Sequence, residues 1–492
     1  MAKYLNAVKT RPSAMQVTPQ SQPIPGRKQV RNTAGGYTFA VDNWTRLHRW
    51  LILGSEGGTY YASERTLTAE NANIVLECLA ESGPRVVELI VEISGSGRAP
   101  KNDPALLALA LASSYGHLET RHAALVALPR VARTGTHLFH FAAYCDGQRG
   151  WGKGLQKAVA RWYNDRPAKE LAYGAIKYQQ RDGWSHRDLL RKAHLKPASE
   201  SHNIIYGWIA SEGWESVGPE PHPDENVRQL WAFERVKRAE SAEEVARLVA
   251  DYRLPREAVP TQWLQSPAVW EALLREMPMT ALIRNLATLT RIGLIAPLSE
   301  TLQQVVGQLG DVERIRKARV HPIAILAALK TYQQGRGERG SHQWTPVSQI
   351  VDALDGAFYS AFGNVKSSEK RWLLGVDCSG SMDGGLIAGV PGLTPRMAAA
   401  AMSMVTAAVE SQNTIVGFTA GDSRGNPGIR SLNVSPRQRM DTVMNVMQKF
   451  NWGATDCSLP MRWAMKEQVP VDVFTIYTDN ETWFGKIHPV QA

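Results

Sequence analysis

The sequence predicts two fold classes joined in one chain. An all-α part made of many short helices is followed by an α/β part built on a mostly parallel sheet. Three observations carry this. From residue 43 to 333, apolar residues recur at three- and four-residue spacing in segment after segment, with no alternating strand pattern. Past residue 370, short apolar runs alternate with helical stretches, as expected for strands covered on both faces. The length of 492 residues also exceeds that of one ordinary domain.

Residues 1–35 hold Pro, Gln, Lys and Arg without periodicity and read as a flexible arm. The helical module is expected over 36–365. Its helices are read at 43–53, 69–81, 84–93, 104–113, 120–133, 137–144 and 154–163, then at 168–181, 186–193, 203–212, 226–237, 242–252, 267–276, 280–291, 322–333 and 347–362. Successive short amphipathic helices suit stacked helical pairs of the solenoid kind, although no fixed-period repeat is visible. The α/β part is expected over 366–492. Strands are read at 372–376, 414–418, 429–434 and 471–477, and helices at 395–410, 438–447 and 459–466.

Hydrophobic residues at 43% and charged residues at 21% exclude a disordered chain. The net charge is +10 and the pI about 9.4. Acids and bases nearly balance past residue 365, so the excess lies in the front part and points to a polyanionic partner. Cys78, Cys145, Cys378 and Cys457 form no CxxC pair, which favours a reducing compartment. The first residues lack an apolar signal region, and no apolar run reaches membrane-spanning length. A soluble, cytoplasmic protein with no membrane partner is expected.

Two stretches carry chemistry. The first is RWLLGVDCSGSM, 371–382, a buried strand running into a loop that carries Asp377, Ser379 and Ser381. Side chains at alternate loop positions converge above the strand's carboxyl end, where open α/β sheets hold ligands. One carboxylate and two hydroxyls make a hard, oxygen-only site that suits Mg²⁺, with Mn²⁺ as the alternative. Cys378 falls between them and reads as core. Downstream, Thr455 sits in a Gly-containing loop and Asp479 follows the strand at 471–477. DxSxS, then a loop Thr, then a strand-end Asp resembles the metal-ion-dependent adhesion site of von Willebrand factor A domains. That resemblance implies Asp377, Ser379, Ser381, Thr455 and Asp479 as metal ligands, direct or through water. An aspartyl-phosphate phosphatase would need a second acid where Ser379 stands.

The second stretch is basic, 151–197. Lys177 and Arg181, four apart, are expected on one helix face. Ser185 and Asp188 form a capping box that opens the next helix, which carries Arg187 and Arg191 and ends near His194 and Lys196. A helix N-terminus beside several cations suits phosphate. Tyr163, Tyr173, Tyr178 and Trp184 lie among the charges and could stack on bases. By composition alone, a solvated cationic face with aromatics in the core explains the same residues.

Longer motifs add to this. GSEGGTYY (54–61), THLFHF (136–141), WYN (162–164), KYQQRDGWSHRDLLRKAHLKP (177–197), EMPMTALIRNL (276–286), KARVHP (317–322) and VDCSGSM (376–382) closely resemble the Ro autoantigen family. Those proteins join a TROVE module to a von Willebrand factor A domain. The resemblance implies a ring of HEAT-like helical repeats closed by the A domain. It implies small structured Y-type RNA on the outer surface, and single-stranded 3′ ends of misfolded RNA in a central hole. It also implies a non-enzymatic monomer in RNA quality control or decay, and an exoribonuclease as a further partner. Lys177, Arg181 and His194 match family positions for RNA binding; Arg187, Arg191 and Lys196 join them on geometry. Relative to the family pattern the A domain is C-terminally short, so 471–477 is expected at a sheet edge.

A metal-dependent protein-binding scaffold would use the same parts differently, with the A domain capturing acidic residues of a partner. A two-metal nuclease would call for more carboxylates than Asp377 and Asp479.

Overall fold

The computed structural model describes residues 17–54, 64–148, 150–337, 342–387, 390, 392–421, 427–449, 454–479 and 482–492, with side chains described from 73 onward in the second of these spans. Residues 1–16, 55–61 and 451–453, on which some of the readings above fall, lie outside that set. Among the described residues, 41–277 form one compact unit, and 17–40 with 278–492 form the other.

The first unit is helical for physical reasons visible at single helices. In Asn43–Leu53, Asp42 caps the N-terminus by accepting from the Thr45 amide at 3.0 Å, and Gly54 ends it at φ 76°. In Ala242–Tyr252, Ser241 caps the start and Val245, Leu248 and Val249 form the buried stripe. Residues Glu64–Ser96 run as one element broken at Ser82, just before Pro84, so the two helices expected there are halves of a kinked pair. No helix among the described residues is long and apolar enough to cross a membrane.

Two short hairpins depart from the all-helical expectation. In the second unit, β1 (Gln29–Arg31) pairs antiparallel with β2 (Tyr37–Phe39). In the first unit, β3 (Gln180–Arg181) pairs with β4 (Trp184–Ser185). The expected helix over 168–181 therefore stops at Lys177, and Lys177 and Arg181 do not share a helix face. Asp182 and Gly183 both have positive φ, 52° and 77°, which is the two-residue turn that a hairpin's twist favours. Asp-Gly was the local signal for it, and helical periodicity masked that signal.

The second unit contains the α/β part. Its sheet has the order β7-β6-β5-β8, with β5 at Trp372–Asp377, β6 at Asn413–Phe418, β7 at Ile429–Ser431 and β8 at Val473–Tyr477. β5 runs parallel to both neighbours and is buried from Leu373 to Asp377; β7 is antiparallel. Among the described residues β8 lies at the edge of the sheet, as expected. Leu373 and Val416 pack with Ala464 of helix Leu459–Lys466. Helices Glu300–Gly310 and Val312–Lys317 were not read from the sequence; Gly307 and the charge-rich 313–317 blur their apolar stripe.

Packing divides the chain at 277/278, well before residue 365, because the last helices of the all-α part join the sheet domain. Tyr359 shows how: its hydroxyl donates to the Gln438 carbonyl at 3.2 Å and accepts from the Met440 amide at 3.1 Å. The described part of the expected flexible arm, 17–35, is docked instead. Gln20 is fully buried, and its Nε2 donates to Asp456 Oδ1 and to the Ile487 carbonyl, both at 2.9 Å. Asn32 Nδ2 donates to the Thr482 carbonyl at 2.6 Å, and His488 Nε2 meets the Gln22 carbonyl at 2.8 Å. Polar composition hid this because the anchors are themselves polar side chains satisfied by a segment more than 430 residues away.

Gly36 lets the arm approach: a Cβ there would collide with the Thr482 carbonyl and lie 2.7 Å from Trp483 Cα. Gly36→Val is therefore expected to loosen residues 17–40. Limited proteolysis should cut the variant in this segment faster than wild type; equal rates would mean the docking does not depend on that approach.

Candidate nucleic-acid interface and metal centre

The cationic residues of the first unit lie on a helix–hairpin–helix. Lys177 ends helix Ala168–Lys177, Arg181 is on β3, and β4 leads into helix His186–Ala193. The capping box expected there is formed. Ser185 Oγ accepts from the Asp188 amide at 3.3 Å, and Asp188 Oδ2 accepts from the Ser185 amide at 2.9 Å. His194 closes the helix in the left-handed region at φ 48°. The hairpin turn is tied down by Asp182, whose carboxylate meets His140 Nδ1 of helix Gly135–Gln148, while His140 Nε2 faces Asp103 at 3.7 Å.

These cations are in different environments. Arg181, Arg191, His194 and Lys196 are exposed. Arg187 is engaged with Glu212 at 2.8 Å. Lys177 is half-buried, its Nζ 5.4 Å from the Tyr173 ring and 5.6 Å from the Tyr178 ring. The aromatics also separate. Tyr163 is fully buried, and its hydroxyl pairs with His186 Nδ1 at 2.7 Å, so it is core and not a stacking platform. Trp184 lies against Trp151 at 5.4 Å with Lys192 5.5 Å from its ring. Tyr173 and Tyr178 remain half-exposed.

In the second unit, all five residues read from the sequence as metal ligands come together. Asp377 ends β5 with no exposed surface and accepts from the Ser379 amide at 2.8 Å and from Thr455 Oγ1 at 3.2 Å. Ser379 and Ser381 hydroxyls are 3.1 Å apart, and Ser381 Oγ donates to Asp479 Oδ1 at 3.2 Å. β5 and β8 are parallel, so Asp377 and Asp479 reach the same end of the sheet. Burial pushes the Asp479 carboxyl upward, partly opposed by the Ser381 hydroxyl, and the charge of Asp377 pushes the same way. Oxygens alone line the cluster, and two crowded carboxylates favour a hard cation between them, so the residues present fit Mg²⁺ or Mn²⁺. Cys378 is core: it is fully buried and burial pushes its thiol to about 12.

Three residues of this centre were not singled out from the sequence. Thr478 donates to Asp377 Oδ2 at 2.7 Å. Asp456 accepts from Ser458 Oγ at 2.7 Å and from Gln20, fixing the loop that carries Thr455. Arg396, 1% exposed, clamps the loop after β5: Nη2 donates to the Ser379 carbonyl and to Asp383 at 2.9 Å, and Nε to Asp383 at 2.7 Å. Nothing local marks an arginine in the first turn of helix Pro395–Val409 for that role.

Replacing Arg396 with Met would leave the Ser379 carbonyl with only the Met382 amide as donor and would unpair Asp383. A loss of stability on the order of 3 kcal/mol is expected, with faster hydrogen exchange across 377–383. Unchanged exchange there would remove Arg396 from its positioning role.

Comparison with known proteins agrees with this architecture. The TROVE domain matches residues 30–331, and the Ro60 vWA domain matches residues 371–492. RNA-binding protein RO60 of Deinococcus radiodurans is 40% identical over 477 residues, which is 96% of this chain and 87% of that one. RNA-binding protein RO60 of Caenorhabditis elegans is 32% identical over 536 residues, covering 94% and 82%. The crystal structure of the Deinococcus radiodurans RO (RSR) protein matches with a TM-score of 0.78 at 39% identity, over 92% of this chain and 88% of that one. A helical module carrying a basic helix–hairpin–helix, an α/β domain with DxSxS at its central strand, and matches along nearly the whole length place this chain in the Ro60 family of TROVE and von Willebrand factor A proteins.

Proposed function

We propose that this chain is an RNA-binding protein that holds small structured RNA on the surface formed by residues 177–196. The observation that carries this is the helix–hairpin–helix itself. It sets Lys177, Arg181, Arg187, Arg191, His194 and Lys196 within one short segment, and its turn is braced from behind by His140. The names of the relatives support the same class of ligand. Affinity comes largely from phosphate neutralisation, and shape and stacking discriminate between RNAs.

The finer reading follows the family resemblance. Y-type RNA is the structured ligand, unpaired 3′ ends of misfolded RNA are the second, and an exoribonuclease is a further partner. The chain acts as a scaffold in the cytoplasm, as a monomer, and performs no catalysis of its own. Asp377, Ser379, Ser381, Thr455 and Asp479 hold Mg²⁺, or Mn²⁺ in its place. Bound there, the ion supplies an open position for a partner's oxygen. That chemistry favours a second reading for the A domain, docking of an acidic protein partner.

Replacing Lys177 and Arg181 with Ala tests the RNA surface. Filter binding of a structured RNA should weaken at every sequence tried. The log–log salt slope should flatten by about 0.9 per lost phosphate contact. Wild-type affinity and slope in the double variant would move the interface elsewhere.

Asp377→Ala tests the metal centre. One of two carboxylates is lost, so calorimetric Mg²⁺ binding should fall strongly while the helical unit stays folded. Equal affinity would sink the metal assignment.

A further inference from the structure

Behind the basic surface lies a cavity of about 400 Å³ in the first unit. That volume is within the roughly 300–1,000 Å³ range of small-molecule sites. Arg133, Arg166, Lys169, Tyr173, Tyr178 and His186 line it. Three cations face one acid, Glu170, so the space is electropositive. Arg166 is fixed in place: its Nη1 donates to the Trp162 carbonyl at 2.7 Å, its Nη2 to the Ala132 carbonyl at 3.1 Å, and its guanidinium stacks 3.4 Å over the Trp162 ring. Burial holds Arg166 down at about 10, so an anion entering here would relieve a penalty already present.

The wall also carries polar atoms without partners. His186 is 4% exposed and its Nδ1 is committed to the Tyr163 hydroxyl. Its Nε2 lies by the carbonyls of Gly174 and Tyr178 but meets neither at hydrogen-bond geometry. Burial pulls His186 down to about 4, so at neutral pH it is an uncharged imidazole. Gln229, on the same wall, donates through Nε2 to the Tyr252 carbonyl at 3.0 Å and leaves a buried Oε1 unpaired. Buried polar groups are normally satisfied, and a concave site is where a ligand completes them.

We propose that this cavity takes one unpaired nucleotide of a bound RNA, with its phosphate met by Arg133 and Lys169 and its base lodged against Tyr173 and Tyr178. His186 and Gln229 then read the base edge. Lys177 stands over both tyrosine rings, which makes the cavity continuous with the surface that holds structured RNA. The proposal rests on the RNA-binding reading and adds a specific preference for an unpaired residue.

Gly174 provides the test. It lines the cavity within helix Ala168–Lys177, and a Cβ there would meet no atom within 4 Å. Gly174→Leu fills the space without removing any surface cation. Fluorescence anisotropy on the full chain would compare a labelled oligouridine with a blunt-ended RNA duplex. Gly174→Leu is expected to weaken oligouridine binding on the order of tenfold and to leave duplex binding and thermal melting unchanged; Gly174→Ala should bind both like wild type. The pair Arg133→Gln and Lys169→Gln changes two exposed residues. It is expected to reduce the oligouridine salt slope by about 0.7 for each contact, and it decides the matter if Gly174→Leu fails to fold. Oligouridine binding unchanged in both variants, with duplex binding intact, overturns the nucleotide site and leaves the RNA reading standing. Loss of both probes together in a folded variant also overturns it. A wild type that binds neither probe removes both.

Discussion

A carboxylate with no exposed surface stands at the end of the central strand, and much of the second unit is arranged to tolerate it. Asp377 accepts hydrogen bonds from one amide and two threonine hydroxyls. The arginine that could have neutralised it, Arg396, forms its ion pair with Asp383 and gives its remaining donors to loop carbonyls. A buried charge left to neutral donors is costly. The constraint propagates outward. Thr455 must be held in place, and Asp456 holds it through Ser458 and Gln20. Gln20 in turn draws residues 17–40 onto the tail around Gly485 and Ile487. The docked arm and the oxygen-lined centre are thus one polar network.

The basic surface in the first unit has a different logic. Its geometry depends on Asp182, which makes two incompatible-looking contributions. It places a negative charge beside Arg181, 3.9 Å away, on a surface otherwise rich in cations. It also anchors the turn to His140 and takes up the positive φ that a two-residue hairpin needs. The anchoring outweighs the charge. One exposed carboxylate costs little in high dielectric, whereas an unbraced hairpin would let Arg181 wander and lose orientation toward a ligand.

The fold was legible wherever a local rule decided it. The start of helix 186–193 could be read from Ser185 and Asp188 alone, because a capping box is written in four consecutive residues. The convergence of Asp377, Ser379 and Ser381 was legible from the strand end and the loop spacing, whereas Thr455 and Asp479 joined them only through the resemblance. The boundary near 277, the docking of 17–35 and the roles of Arg396 and Asp456 were not, since each depends on contacts between residues far apart in sequence. The failure at Arg181 was of a third kind. Two local signals competed, helical spacing and Asp-Gly, and the turn won because Tyr178 leaves the helical region at φ −118° and ψ 71°.

Aromatic residues among the charges show why composition alone could not choose between a stacking surface and a core. Tyr163, Tyr173 and Tyr178 look alike in sequence, yet Tyr163 is sealed beneath His186 while the other two line an open cavity under Lys177. The cations divide the same way. Arg181 has a 61% exposed side chain, so its attraction to phosphate is screened by salt within about 8–10 Å. Arg166, fixed against Trp162, is shielded from that screening and keeps its field at higher ionic strength. On the proposed RNA reading, exposed charge governs how fast and how generally a polyanion is gathered. On the same reading half-buried charge beside aromatic rings governs which part of it is retained, and only the three-dimensional placement assigns a given residue to one class or the other.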